Sequence, residues 1–144
     1  MRDALLATVI EEVTAVTDFE TLLEQEEKAL IAAQPLDALP GIIEHKTALT
    51  ERIAALEKQR DVQLEALGLP VGAVGMDAAS DGDAAIAEQW SLLRAAARRA
   101  KQNNNNNGVL IRTRMEFNRK ALLALQIPPA KSGFYGPDGR VPGT

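Results

Sequence analysis

Residues 97–125 read ARRAKQNNNNNGVLIRTRMEFNRKALLAL, and the fold turns on whether this stretch is one helix or two. By composition, Asn103 to Asn107 is a low-complexity loop and Asn107-Gly108 a turn. The spacing says otherwise. Ala97, Asn104, Ile111, Asn118 and Leu125 stand seven apart. The fuller series Ile86, Trp90, Leu93, Ala97, Ala100, Asn104, Asn107, Ile111, Arg114, Asn118, Ala121 and Leu125 steps by three and four through the run without losing phase. A loop has no reason to keep heptad phase, so the spacing predicts one helix over about residues 83–126, ~65 Å long at ~1.5 Å per residue. Each Asn costs roughly 0.6 kcal/mol relative to Ala in a helix. The tract therefore needs tertiary support, with seam amides pairing across an interface. Two shorter helices joined by an Asn loop are the alternative.

Upstream, Val9, Val16, Leu23 and Leu30 recur every seven residues, and Leu5, Val13 and Phe19 widen the stripe into a helix over about 3–33. Pro35, Pro40 and Gly41 mark a turn and a new start, since proline is tolerated only in a helix's first turn. A second stripe, Leu39, Ile42, Leu49, Ile53, Leu56 and Leu67, keeps the same rhythm when Lys46, Arg60 and Gln63 count as seam positions. Such long side chains lay their stems along a seam and keep the polar end wet. Gly68 and Pro70 close this helix, about 36–67. Residues 68–83, GLPVGAVGMDAASDGD, hold four of the ten glycines and no periodic stripe, which reads as a mobile loop. Ser80, Asp81 and Asp83 are candidate N-caps for the third helix.

The expected fold is therefore all-α: an elongated antiparallel three-helix coiled-coil bundle over residues 1–127 with a long third helix, and a flexible C-terminal tail over 128–144. The tail, PPAKSGFYGPDGRVPGT, has few aliphatics. Its adjacent Phe134 and Tyr135 read either as a short motif anchoring in a partner's pocket or as packing on the chain's own bundle. Composition agrees with helix: aromatics are 3% of 144 residues, too few for an ordinary sheet core.

The chemistry of an enzyme is missing. There is no Cys, which excludes disulfides and thiolate sites, and the single His45 falls on the polar side of the second helix. No phosphate loop, dinucleotide fingerprint, zinc motif or nucleophile elbow occurs, and the acid clusters lack an ExxH partner for a di-iron site. The expectation is no catalytic residue, no metal and no cofactor. The uncharged runs are too short for a membrane span, and the N-terminus meets acid too early for a secretory signal, which points to the cytoplasm.

Net charge is −4, unevenly spread. Residues 1–67 carry six bases and fourteen acids, net −8, whereas residues 91–120 carry eight bases and only Glu116 as acid, net +7. The basic stretch docks along acidic helices of its own chain, stays solvated, or meets nucleic acid. With no aromatic platform or nucleic-acid signature beside it, no nucleic-acid partner is expected.

The string NNNNNGVLI at 103–111, the NRKALLAL at 118–125 that follows on the same helix, and YGPDG at 135–139 together resemble the FlgN family of flagellar export chaperones. The resemblance extends to the plan of helices and loose C-terminus, with Asn104, Asn107 and Gly108 as the helix-centre motif. The excess of asparagine leaves open which of them fill the family's positions. The resemblance implies a cytosolic chaperone of the flagellar type III pathway, binding the hook–filament junction proteins FlgK and FlgL and docking on the export-gate protein FlhA. Tyr135, with Phe134 and Gly136, would match the gate-docking tail. Cargo segments that form amphipathic helices suit an exposed apolar helix surface. Leu110, Ile111, Met115, Phe117, Leu122, Leu123 and Leu125 are the candidates for that surface, on a third helix that outruns its neighbours. Closure of the bundle, or a homo-oligomer seam, is the competing role for the same residues. A helical adaptor without cargo is the alternative function, and a nucleic-acid-binding regulator a more distant one.

Overall fold

A computed structural model describes residues 1–31 and 39–124; the side chains of Arg114, Phe117, Asn118, Ala121 and Leu122 fall outside that description, as does the expected C-terminal tail. The described residues form four α-helices and no strand: α1 (Arg2–Ile31), α2 (Leu39–Ala66), α3 (Gly72–Ser80) and α4 (Ala84–Ala124). The all-α expectation stands; the count of three helices does not. The long third helix of the sequence reading is α4, and it runs unbroken through Asn103–Asn107 and Gly108.

α1 lies between α2 and α4 and packs on both, whereas the backbones of α2 and α4 do not pack directly. Cross-helix bonds fix the directions. Lys46 meets Glu26 and Arg60 meets Glu12, so α2 runs antiparallel to α1. Arg2 meets Asp83, Arg99 meets Glu20 and Asn107 meets Glu26, so α4 runs parallel to α1.

The periodic residues fill the interior. One core cluster joins Leu5, Val9, Val16 and Leu23 of α1 to Leu64 of α2, Met76 and Ala79 of α3, and Ile86, Trp90, Leu93, Ala96 and Ala100 of α4. A second, smaller cluster at the other end holds Leu30, Leu39, Ile43 and Ile111. Three register details differ from the expectation. Ala96 is buried and Ala97 exposed, Ile43 is buried where Ile42 is only half-buried, and Leu64 is buried where Gln63 is half-buried. All are one-residue shifts, the scale on which 3.6 residues per turn departs from a strict 3.5 repeat.

The helix ends follow local chemistry. Gly68, at φ 75°, closes α2 by giving its N–H to the Glu65 carbonyl (2.9 Å), while the Leu69 N–H reaches back to Leu64 (2.9 Å). Asp83 is the N-cap of α4, accepting from the Ile86 N–H at 3.2 Å. Pro40 sits in the first turn of α2, where its missing N–H costs nothing.

The expected mobile loop over 68–83 is instead largely α3. A helix of nine residues has little stability of its own, so local periodicity could not reveal it. It is held by its neighbours: Asp61 of α2 accepts from the Gly72 N–H (3.0 Å), Arg2 of α1 donates to the Ala79 carbonyl (3.1 Å), and Trp90 of α4 donates to Asp77 (3.0 Å). Gly75 is buried against the returning chain, and a Cβ there would overlap the Pro70 carbonyl oxygen. Gly75→Ala should therefore displace α3 and cost about 1–3 kcal/mol, as overpacking does. A fall in the chemical-denaturation midpoint, accompanied by a change in Trp90 fluorescence, is the expected result.

Candidate functional site

Two buried polar contacts cross the helix layer, and each involves all three long helices. At the first, the Glu12 carboxylate of α1 accepts from Arg60 of α2 at 2.9 Å, and the Arg60 guanidinium lies 5.3 Å from the centroid of Trp90 of α4. At the second, Lys46 of α2 donates to the Glu26 carboxylate of α1 at 3.3 and 3.4 Å. Asn107 of α4 completes it, donating one amide hydrogen to Glu26 Oε1 (2.9 Å) and the other to the Leu23 carbonyl (2.8 Å). Glu26 is fully buried and Asn107 is 1% exposed.

The expectation that Lys46 and Arg60 keep their charged ends wet is corrected here. Both side chains are buried to the tip, because each meets a buried carboxylate of α1 that the sequence reading did not place on the seam. A signal was available. Glu12 and Glu26 are fourteen apart on α1, Lys46 and Arg60 fourteen apart on α2, and one antiparallel register matches both pairs.

Burial of Glu12 pushes its carboxyl up to about 7, outweighing the pull of the Arg60 guanidinium; Glu57 and Asp61 add smaller upward pushes. Its Oε1 is buried and accepts no hydrogen bond from the protein. The carboxyl is raised above its ordinary 4.5, so the stability it contributes is full at acid pH and is lost as pH rises through about 7.

Of the amide run, Asn107 alone is fully sequestered. Asn103 and Asn104 are half-buried, and Asn105 and Asn106 exposed. Asn104 does not pair across the interface: its Oδ1 is buried with no hydrogen-bond partner. Gly108 is buried beside Asn107. Of the helix-centre triplet, Asn107 and Gly108 are buried in the bundle and Asn107 anchors α4, whereas Asn104 is half-buried and makes no such bond.

Beyond this anchor the environment changes. Ile111 is core, packed with Leu30, Leu39 and Ile43, and Leu110 lies half-buried against that cluster. Ile111 is buried there, whereas Leu110 keeps part of its surface exposed. From Arg112 to Ala124 every described side chain is exposed, including Met115 at 41% and Leu123 at 55%. The side chains of Phe117 and Leu122 lie outside the described residues, as do Leu125, Phe134, Tyr135 and Gly136 altogether. Among the described residues no group of His, Asp or Glu is placed to hold a metal ion, and no helix is long and apolar enough to cross a membrane.

Two stability tests follow from the buried contacts. Asn107→Ala should cost about 1–3 kcal/mol, because the buried Glu26 carboxylate keeps Lys46 but loses one of its donors, and the Leu23 carbonyl loses its side-chain donor. Asn105→Ala, at an exposed helix position, should stabilise by a few tenths. Urea titration of the two variants checks the contrast. Glu12→Gln should flatten the pH dependence of unfolding free energy between about pH 5 and 8, removing a decline on the order of 3 kcal/mol at most.

Comparison with curated proteins and with solved structures gives no significant match. The family model described as FlgN protein matches residues 1–143. With essentially the whole length matched and Asn107-Gly108 of the resemblance built into the centre of α4, the chain belongs to the FlgN family, a family of flagellar export chaperones.

Proposed function

We propose that this chaperone binds the hook–filament junction proteins, of the FlgK and FlgL kind, in the cytoplasm and delivers them to the export gate. The observation that carries this reading is the exposure of α4 beyond Ile111. α4 has 41 residues against 30 in α1 and 28 in α2, and none of its described side chains past Ile111 is buried. A helix anchored at Asn107 with exposed apolar side chains such as Met115 and Leu123 beyond the anchor suits a visiting amphipathic helix, which buries its own apolar face against them without ATP.

Cargo contact is assigned to Met115 and Leu123, with Phe117, Leu122 and Leu125 sharing the same segment by sequence. Met115 is an unbranched, adaptable side chain suited to varied helical surfaces. Ile111 supports this surface from the core, and the half-buried Leu110 lies at its edge. Phe134, Tyr135 and Gly136 are proposed to dock on FlhA, separately from cargo.

Deleting residues 112–144 should leave bundle helicity and the unfolding midpoint nearly unchanged while abolishing co-purification of the junction proteins. Retention of cargo by that shortened chain would assign the family role to another surface and favour an adaptor without cargo. Tyr135→Ala should keep cargo affinity and lose secretion of the junction proteins into the medium; full secretion would remove the docking role.

A further inference from the structure

α4 carries a second stripe, off its buried seam. Arg98, Lys101, Val109, Arg112, Arg119 and Leu123 follow one another, with positions 105 and 116 completing the series, in steps of three or four, which keeps them on one helix face. All six are exposed. The stripe spans ~38 Å at ~1.5 Å per residue. Its one acid, Glu116, is already engaged by Arg119 at 2.7 Å. Other cations of α4 are likewise satisfied at home: Arg99 by Glu20 and Arg94 by Asp77. Arg98, Lys101 and Arg112 have no ion-pair partner among the described residues. The bundle's own acids thus do not neutralise this face, although residues 1–67 carry an excess of eight.

Resting on the reading of α4 as the cargo helix, we propose that the occupant of this stripe is an acidic amphipathic helix, its carboxylates spaced three and four apart to face Arg98, Lys101 and Arg112 and its apolar residues meeting Val109 and Leu123. A helix lying alongside α4 repeats its side chains at the same rise, so one acidic face meets successive cations in register. Charge would select and steer the cargo, while the apolar contacts hold it. Nucleic acid fits less well. No aromatic platform accompanies the cations, and the chain as a whole is anionic at −4.

The test uses the full chain and two designed helical peptides of about 24 residues, with identical leucines and either Glu or Lys at the three-four positions. Fluorescence anisotropy should show the Glu peptide bound about tenfold tighter or more, with the advantage shrinking from about 50 to about 300 mM salt. The variant Arg98→Gln with Lys101→Gln and Arg112→Gln, which breaks no ion pair, should keep its unfolding midpoint and lose that advantage. Equal binding of the two peptides, or an unaltered preference in the variant, overturns the proposal. So does an oligodeoxythymidylate that competes as strongly as the Glu peptide, which makes phosphate the ligand. Self-association of the wild type that the triple variant abolishes and the Glu peptide displaces would also overturn it, since the stripe then belongs to a second copy. Junction-protein pull-down separates the two readings. Capture retained by the triple variant but lost on deleting 112–144 sinks the charged stripe and leaves the chaperone standing; capture lost in neither sinks the cargo helix itself.

Discussion

Asn107 spends both hydrogens of its amide on α1, one on the Leu23 carbonyl and one on the Glu26 carboxylate that Lys46 of α2 also holds. That single side chain ties the middle of α4 to a charge pair shared by the other two long helices. The layer separates the two apolar clusters, with Leu23 on one side and Leu30, Ile43 and Ile111 on the other. Sliding α4 by one residue would take the Asn107 amide away from a buried carboxylate and a buried carbonyl, leaving the Glu26 charge to Lys46 and weakening a low-dielectric polar contact. Polar layers of this kind fix register at some expense in stability. Here the register decides which described side chains of α4 lie against α1 and α2 and which, past Ile111, are exposed.

The second polar contact, Glu12 with Arg60 under the Trp90 ring, does similar work nearer the other end and is less fully compensated. Glu12 Oε1 and Arg60 Nε are both buried without a hydrogen-bond partner. The raised Glu12 carboxyl is the electrostatic expression of that shortfall. A chain whose interior includes two charge pairs, each joining α1 to α2, trades some stability for a defined alignment of those helices. α3 completes that end, packing Met76 and Ala79 into the cluster that holds Trp90 and accepting the Trp90 N–H at Asp77.

Much of this was legible from spacing alone. The unbroken α4, the seams of α1 and α2, the glycine closure at Gly68 and the Asp83 cap all follow from local rules that survive packing. Helix α3 was not legible, because nine residues with Gly75, Met76 and Ala79 as inward positions are too short to show a period and offer one large apolar side chain; the segment becomes helical through contacts with Asp61, Arg2 and Trp90, outside the segment. The buried acids Glu12 and Glu26 were missed because a carboxylate on a seam reads as solvated until its partner on another helix is known. For the candidate site, spacing did not separate Ile111, which is buried in the second cluster, and Leu110, half-buried against it, from Met115 and Leu123, which are exposed. All four are apolar residues of one short stretch, and only the ends of α1 and α2 distinguish them.

By itself the sequence determined the three long helices, because propensity and periodicity act within a few turns, but not the short α3. It also determined the concentration of positive charge on the last helix, since composition needs no fold to be read. The tertiary structure alone decided which polar side chains are buried, which cations are left without a partner and where cover ends along α4. Those properties depend on what lies opposite a residue, and for Asn107 that is a carboxylate eighty-one positions away.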